Sequence, residues 1–415
     1  MKIAVIGNHL PRQCGIATFT TDCCDAIAAK YGTATLLVVA VNDHRSSYAY
    51  PARVRYQIAE TDISSYWKAA SFLNSNHVDL ACLQHEFGIY GGKAGRYVLE
   101  LLKRLNMPVV TTLHSVLREP DRGQRAVMRE IALLSDRIIV MSNHSSRLLQ
   151  EVFGIPCQKI EIIPHGIPNL PFEEPNVHKA SFASQDKSVL LTFGLLSPNK
   201  GFETVIYALP HILSKHNDVV YIIAGATHPN LKLREGDRYQ IQLETLARQL
   251  GVADSIVFHN RFFSSPEMAS LVGSADIYIT PYCHEAQAVS GTLAYALGAG
   301  KAIISTPYWH AAELLNDGRG MLVRFDDPTA IAVAAIRLLE NDPARQAMRK
   351  RAYSYGRNMV WDRVAHSYMD AFVRTIVNRR QPARLRAPVQ GIQRVVTRQI
   401  ETAGASSIQH LKPWQ

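Results

Sequence analysis

The chain has 415 residues, of which 47% are hydrophobic and 19% are charged, and its formal net charge is +10. At roughly 150 residues per domain, this length predicts two to three domains with sizeable cores. No apolar run approaches the roughly 20 residues that cross a membrane, and the start, MKIAVIGNHLP, lacks a signal-peptide cleavage pattern. The six cysteines show no CxxC spacing, so the sequence favours neither a zinc site nor a disulfide framework and indicates a cytoplasmic protein.

Twelve short apolar runs follow one another along the chain, each ending in polar residues or glycine. Near-continuous hydrophobicity over four to seven residues is typical of strands buried on both faces of a parallel sheet. Helix-like stretches lie between the runs, so the pattern predicts βαβ units and an α/β fold with doubly wound sheets. The predicted strands are 2–7, 35–41, 78–84, 108–113, 137–142, 160–166, 188–194, 219–225, 255–260, 277–282, 302–307 and 321–325.

The polar, proline-bearing segment NLPFEEPNVHKASFASQDK separates the first six runs from the last six. We therefore predict a Rossmann-like domain over residues 1–170, a linker over 171–187 and a second Rossmann-like domain over 188–360. A helical pattern follows over 361–378. Ligands of such sheets bind at the carboxyl ends of the strands, so the two domains are expected to face each other across a ligand cleft.

Residues 379–415 form a basic tail, with seven basic residues against Glu401 alone. The tail is either a solvated segment or a tether to anionic lipid, where each basic residue near the surface contributes about 1 kcal/mol. The tether hypothesis predicts a peripheral contact with the inner face of the membrane. Nucleic acid is not an expected partner, because the tail has no interleaved aromatic residues for base stacking.

Four residues of the first domain stand at or just after predicted strand ends. Gly15 precedes a helix-like stretch, where backbone N–H groups could meet a phosphate or a sugar, although the loop lacks GxGxxG and a plain turn remains open. Glu86, in QHEFGIYGG, either hydrogen-bonds a polyol or stabilises its own loop. His114, in TTLHS, and His165, near the domain junction, occupy the strand ends at which ligands bind.

The second domain carries a more coherent set of anion-binding features. Lys200 follows Gly194 in GLLSPNKGFE and starts a helix, whose first N–H groups are unpaired and carry about half a positive charge. Arg261 lies just past another strand, where a phosphate is an apt partner. Together these residues predict a diphosphate site. Other residues expected to bind the nucleotide are Gly225, Asn260, Ser290, Gly291, Thr292 and Tyr295, while Glu285 and Gln287 are expected to meet sugar hydroxyls.

At this point the motifs resemble those of family 4 glycosyltransferases, and in particular the mannosyltransferase-like branch. The resemblance spans roughly residues 1–375. It implies a GT-B fold of two Rossmann-like domains, retention of the anomeric configuration, no metal and no cofactor beyond a nucleotide sugar held by the second domain. It also implies a C-terminal helix that crosses back to the first domain. The motifs are PRQCGIATF, QHEFGIYGG, TTLHS, GLLSPNKGFE, TPYCHEAQAVSGTLAYALGAGK, STPYWHAAELL and DGRGMLV.

The chain departs from the family's usual arginine–lysine pair on the diphosphate. Lys200 matches the lysine, but Leu195 occupies the arginine position. We therefore expect Arg261 to supply the missing charge. His114 matches the family's histidine near the reacting sugar.

A second departure concerns two family glutamates spaced eight residues apart. Glu285 matches the first of them, which leaves Leu293 at the second. Alignment on the Gly300–Lys301 turn instead places Gln287 and Tyr295 at the two positions. The expectation from this comparison is that Glu285 contacts the donor sugar.

These observations predict a retaining glycosyltransferase that moves a hexose, with mannose from GDP-mannose expected, to a glycan, lipid-linked or small-molecule acceptor. Such an enzyme would serve polysaccharide biosynthesis. A sugar phosphorylase, a nucleotide-sugar epimerase and a non-catalytic sugar-binding relative remain open alternatives. The expected catalytic residues are His114, Lys200, Arg261 and Glu285, and the expected sugar or acceptor contacts are Glu86, Gln287 and His165.

Overall fold

A computed structural model describes residues 1–32, 35–43, 48–182 and 184–380. The basic tail predicted over 379–415 lies outside these residues except for its first two positions. Within the described residues the strands are β1 Lys2–Gly7, β2 Thr35–Asn42, β3 Val54–Ala59, β4 Leu80–His85, β5 Val109–Leu113, β6 Arg137–Val140, β7 Ile160–Ile162, β8 Ser188–Phe193, β9 Val219–Ala224, β10 Ile256–His259, β11 Ile277–Thr280, β12 Ala302–Ser305 and β13 Met321–Leu322.

Fifteen α-helices lie among the described residues, most of them between consecutive strands. They are α1 Gly15–Tyr31, α2 Ile63–Ser75, α3 Tyr97–Leu102, α4 Arg122–Leu134, α5 Asn143–Phe153, α6 Asn176–Lys179, α7 Phe202–Leu213, α8 Pro229–Glu235, α9 Arg238–Gln249, α10 Ser265–Ser274, α11 Gly291–Gly298, α12 Trp309–Leu314, α13 Pro328–Glu340, α14 Asp342–Gly356 and α15 Trp361–Arg380. The short helix α6 lies within the segment predicted as a linker.

The strands form two parallel sheets, with the orders β3-β2-β1-β4-β5-β6-β7 and β10-β9-β8-β11-β12-β13. In each sheet the order in which the chain adds strands reverses once, between β1 and β4 in the first sheet and between β8 and β11 in the second. Loops that leave the carboxyl ends of strands on either side of such a reversal diverge and leave a crevice. The fold therefore predicts binding sites at the ends of these four strands.

Side chains of each central strand alternate between two cores, because successive residues point to opposite faces of a sheet. In β1, Ile3 and Val5 pack with α1 and α15, whereas Ala4 and Ile6 pack with α2, α3 and α4. In β8, Leu190 belongs to the core under α7, α9 and α13, and its neighbours belong to the core under α10, α11 and α14. This two-sided burial explains why the strands are nearly continuous hydrophobic runs.

All twelve predicted strands are present, and β3 is a further strand that was not predicted. This edge strand alternates half-buried or buried Val54, Tyr56 and Ile58 with exposed residues. One of its faces meets solvent, so it lacks the continuous apolar run used to find the others. The period-two alternation of VRYQIA is the signal that could have identified it.

The last helix, α15, packs against the first sheet although it follows the second sheet in sequence. The hydroxyls of Tyr368 and Thr112 are 3.1 Å apart, and buried Phe372 shares a core with Ile3 of β1. Where the chain passes between the sheets, Ile167 N–H donates to the carbonyl of Met359 at 2.9 Å. The two connecting segments thus run side by side.

The packing of α15 predicts a large stability difference between two adjacent residues. Phe372→Ala removes a fully buried ring and should destabilise the protein by about 3–5 kcal/mol. Val373→Ala, at a position that is 47% exposed, is the matched control and should change stability by less than about 0.5 kcal/mol. Thermal unfolding measures both variants, and equal effects would contradict the docking of α15 on the first sheet.

Candidate functional site

A cavity of about 700 Å³ lies between the two sheets, at the carboxyl ends of the four strands that flank the reversals. Both domains contribute to its wall. Thirteen of the predicted site residues line it, namely Gly15, Glu86, His114, His165, Gly194, Lys200, Gly225, Arg261, Gln287, Ser290, Gly291, Thr292 and Tyr295. The two predicted residues that the lining does not include are Asn260 and Glu285.

Lys200 is held by a tight turn after β8. It ends a 3-10 turn over Pro198–Lys200, and Gly201 follows with a φ of 70° before α7 begins. A Cβ at Gly201 would fall on the carbonyl oxygen of Pro281, so the turn packs directly against the loop after β11. The Lys200 ammonium lies 2.6 Å from the hydroxyl of Tyr282 in that loop.

The amino end of α11 presents backbone and hydroxyl groups to the same part of the cavity. Ser290 caps the helix, its Oγ accepting from Leu293 N–H at 3.3 Å. The N–H groups of Gly291 and Thr292, the first two of the helix, have no acceptor one turn earlier within it. The N–H of Ser290 was expected to serve an anion as well, but it donates to His310 Nδ1 at 2.9 Å.

His165 approaches Gly291 closely from the first domain. A Cβ at Gly291 would lie 2.9 Å from His165 Nε2, so glycine is required for this contact. His165 Nδ1 lies 2.8 Å from the carbonyl of Gly166 and therefore donates, which makes Nε2 an acceptor. Burial lowers the pKa of His165 to about 4, so the ring is neutral at physiological pH.

His114 is also a neutral imidazole in the cavity wall. Burial, with smaller contributions from nearby His165 and His85, lowers its pKa to about 3. Its Nε2 lies 2.9 Å from Gln84 Oε1, which fixes the proton on Nε2 and leaves Nδ1 as an acceptor. Phe19 packs edge-on against the ring at a centroid distance of 4.8 Å. The arrangement suits hydrogen bonding to a hydroxyl group.

Glu86 contributes a carboxylate to the first-domain wall. Ser115 Oγ and, at 3.0 Å, the N–H of Phe87 donate to it. Burial nevertheless raises the pKa of Glu86, because the two hydrogen bonds only partly offset the loss of hydration. Such a carboxylate is placed to accept hydrogen bonds from a polyol.

Arg261 and Asn260, the two predicted site residues that follow β10, differ in their surroundings. Arg261 lines the cavity, but its guanidinium pairs with Glu267 at 2.8 Å and lies 4.1 Å from the ring centre of Phe263. The side chain of Asn260 is hydrogen-bonded to neighbouring residues: its oxygen accepts from Thr227 N–H at 3.2 Å, and its amide group donates to Gln240. Arg234 of α8 also lines the cavity but was not predicted, because it lies within a helix away from any strand end.

The structure separates Glu285 from Gln287. Glu285 is 53% exposed at its side chain and pairs with Arg118 of the first domain at 2.5 Å. Gln287 lines the cavity, with its amide nitrogen held by the carbonyl of Val289 at 2.6 Å. The geometry therefore favours the alignment on Gly300–Lys301 and corrects the expectation for Glu285, because its carboxylate is committed to a surface ion pair.

Tyr295 and Asp22 join the domains at the inner end of the cavity. The Tyr295 hydroxyl donates to Asp22 Oδ2 at 3.0 Å, so its contact is to a carboxylate of α1. Burial raises the pKa of Asp22 to about 6, a change that the Tyr295 hydrogen bond only partly counters. Asp22 was not predicted, because it lies two turns inside α1 and no sequence pattern indicates that its side chain reaches the cavity.

Two further features bear on the site. No group of three or more histidine, cysteine or acidic side chains that could hold a metal ion occurs among the described residues. Within the same residues, no helix is long and apolar enough to cross a membrane.

The Lys200 turn predicts unequal effects at two glycines with the same backbone conformation. Gly201→Ala should cost the roughly 1–2 kcal/mol of a left-handed residue and additionally displace the turn from Pro281. Gly154→Ala, with a φ of 71° and no neighbour within 4 Å of the new Cβ, should cost only the first amount. Thermal unfolding compares the variants. An equal loss in both would contradict the close packing at Gly201.

The Asp22 pKa predicts a pH-dependent stability difference. Its folded pKa of about 6 exceeds the unfolded value of 3.8, so stability from this group is present below pH 4 and is lost as pH rises through 6. Asp22→Asn should therefore be more stable than the natural protein at pH 7.5, by up to about 3 kcal/mol, and the difference should vanish near pH 4. Unfolding across this pH range is the measurement, with Asp254→Asn at an exposed position as control. A pH-independent difference would contradict the assignment.

Comparison with known proteins identifies the family. The model described as "Glycosyltransferase Family 4" matches residues 14–169, and that described as "Glycosyl transferases group 1" matches residues 173–355. A D-inositol 3-phosphate glycosyltransferase of Xylanimonas cellulosilytica is 25% identical over 319 residues, 71% of each chain. A phosphatidyl-myo-inositol mannosyltransferase of Mycolicibacterium smegmatis is 25% identical over 238 residues, 56% of each chain.

Solved structures share the fold. Anabaena HepE in complex with UDP has a TM-score of 0.71 at 16% identity, covering 90% of this chain and 100% of its own. Sucrose-phosphate synthase from Thermosynechococcus elongatus has a TM-score of 0.74 at 16% identity, covering 91% and 100%. The predicted GT-B arrangement of two Rossmann-like sheets is confirmed. With family matches over most of both domains, the chain is a glycosyltransferase and belongs to glycosyltransferase family 4.

Proposed function

We propose that the protein is a retaining hexosyltransferase that uses a nucleoside-diphosphate sugar, with GDP-mannose as the expected donor. The acceptor is a glycan, a lipid-linked sugar or a small polyol held by the first domain. The observation that carries the proposal is the convergence of the Lys200 ammonium and the amino end of α11 on one part of the cavity. A diphosphate suits this combination of a cation and unpaired backbone N–H groups.

The rest of the cavity supports a sugar beside the diphosphate. Gln287, neutral His114 and Glu86 offer hydrogen-bond acceptors from both domains. UDP is a second candidate nucleotide, because the solved structure of HepE, which shares the fold, holds UDP. The mannosyltransferase among the relatives supports mannose as the transferred sugar.

In the proposed reaction, the bond between the anomeric carbon and the diphosphate oxygen breaks while the acceptor oxygen bonds to that carbon on the same face. The acceptor proton passes to the departing diphosphate oxygen. Lys200 and the α11 N–H groups stabilise the charge that develops there, with Arg261 and Arg234 contributing at longer range from the same domain. No metal is required in this scheme, because the protein itself supplies the positive charge.

Thermal-shift measurements against GDP, UDP, ADP and inorganic phosphate test the proposal. One nucleoside diphosphate at a hundredfold excess over its Kd should stabilise the protein by about 2.7 kcal/mol. Lys200→Ala should abolish most of that shift and lower kcat about a hundredfold, the usual effect of removing one donor from a developing charge. Lys215→Ala, exposed beyond the other end of α7, is the control.

The alternatives predict different outcomes. Stabilisation by inorganic phosphate alone would replace the proposal with a phosphorylase, and conversion of the donor without an acceptor would replace it with an epimerase. Nucleotide binding without turnover would leave a non-catalytic relative. The peripheral membrane contact through residues 379–415 remains a prediction from the sequence.

A further inference from the structure

Tyr282 lies in the cavity wall, in the loop after β11. Its ring is 4% exposed and stacks on Tyr308, with a centroid distance of 4.6 Å and an interplanar angle of 18°. This packing fixes the position of the phenol oxygen. No role was predicted for Tyr282 from the sequence.

The hydrogen bonds of the phenol have a defined direction. An ammonium group has N–H donors and no acceptor, so Tyr282 must accept in its 2.6 Å contact with Lys200. Its own hydrogen is then directed to Ser290 Oγ at 3.2 Å or Thr292 Oγ1 at 3.4 Å. Lys200 thus polarises the phenol O–H toward the amino end of α11.

Three hydroxyls form a triangle at this point, since Ser290 Oγ and Thr292 Oγ1 are 3.2 Å apart. Each of the three oxygens already accepts a hydrogen bond from outside the triangle. Tyr282 accepts from Lys200, Ser290 from Leu293 N–H, and Thr292 from the Tyr278 hydroxyl at 2.9 Å. All three distances within the triangle exceed the usual 2.5–3.0 Å of O–H···O bonds, so these internal bonds are weak. An anionic oxygen would attract the same hydrogens more strongly.

We propose that Tyr282 is a phosphate-binding residue whose hydroxyl, polarised by Lys200, donates to a non-bridging oxygen of the nucleoside diphosphate. The inference rests on the proposed function and adds a neutral donor to the diphosphate site. A hydrogen bond from the hydroxyl stabilises diphosphate charge that Lys200 alone does not neutralise. The guanidinium of Arg261 is already paired with Glu267.

The titration of the phenol provides an independent signature. Burial would raise the pKa of Tyr282, but the charge and hydrogen bond of Lys200, aided by Ser290 and Thr292, outweigh it and hold the pKa below its ordinary value of 10. Tyr278 of β11 and Tyr308 before α12 also face the phenol, and the interaction with Tyr282 raises the pKa of each. An ionised phenol would neutralise Lys200 and repel phosphate, so diphosphate affinity should fall on the alkaline side.

Calorimetric titration of the full chain tests the inference with UDP and GDP and with uridine and guanosine. Tyr282→Phe keeps the stacked ring and should weaken binding of the diphosphate about tenfold, or 1.4 kcal/mol, while affinity for the matching nucleoside is unchanged. Tyr368→Phe is the matched control. It removes a buried phenol hydroxyl outside the cavity lining, which lies 3.1 Å from Thr112 Oγ1, and should leave both affinities as in the natural protein.

The outcomes distinguish failure of the role proposed for Tyr282 from failure of the proposed function. Equal diphosphate affinity in the natural protein and Tyr282→Phe would overturn the role of Tyr282 alone, as would a parallel loss of nucleoside affinity. Absence of diphosphate binding by the natural protein would overturn both proposals. If Tyr282→Phe does not fold, the natural protein still decides: because the pKa of Tyr282 lies below 10, UDP or GDP affinity that stays constant from pH 7 to pH 10 would overturn the inference.

Discussion

The parallel direction of every described strand is the constraint on which the site depends. It brings all carboxyl strand ends of a sheet to one edge, and the single reversal of order in each sheet separates two adjacent loops there. In the second domain these loops carry Lys200 after β8 and Tyr282 after β11. Their contact is possible because Gly201 lets the two backbones approach without a Cβ between them. Cation, phenol and helix terminus are therefore positioned by backbone packing rather than by flexible side chains.

The site also requires the two domains to keep their relative position, and several contacts across the cleft help to hold them there. Glu313 of α12 accepts from the N–H groups of Asn143 and His144 at 2.9 and 3.1 Å, so a carboxylate of one domain caps helix α5 of the other. Arg118 pairs with Glu285 nearby, and Tyr295 meets Asp22 at the inner end. The Arg118–Glu285 pair is exposed and weak, since surface ion pairs contribute about 0–1 kcal/mol. Modest stabilisation of this kind is compatible with opening and closing of a cleft.

The sequence predicted the fold well because burial on both faces makes each central strand an uninterrupted apolar run. The half-exposed edge strand Val54–Ala59 breaks that rule and was missed. Residues directly after strands, such as His114 and Gly194, were predicted correctly at the cavity because strand ends are fixed by the sheet. Asp22 and Arg234 lie within helices, where exposure to a cleft depends on tertiary packing that local sequence does not encode.

Glu285 shows a different limit. Two positions only two residues apart, 285 and 287, both fit a spacing argument, and only the path of the loop decides which side chain enters the cavity. The backbone hydrogen bonds of that loop run from Gln287 N–H to the carbonyl of Glu285 and from His310 N–H to the carbonyl of Gln287. In this loop path the Glu285 side chain points outward. The role proposed for Tyr282 could likewise not be predicted from the sequence, because it depends on a contact between residues 82 positions apart.

Charge is divided across the cavity in a way that orients a donor. Lys200, Arg234 and Arg261 all belong to the second domain, whereas the carboxylates of Asp22 and Glu86 belong to the first. Between them, His114 and His165 are neutral at physiological pH because burial lowers their pKa values. The diphosphate of the proposed nucleotide-sugar donor would be attracted to the second-domain wall and repelled by the first, which favours an orientation with the sugar toward the first domain. In that orientation the carboxylates would face the hydroxyl groups of the sugar and acceptor, and they could accept hydrogen bonds from them without competing for the leaving group.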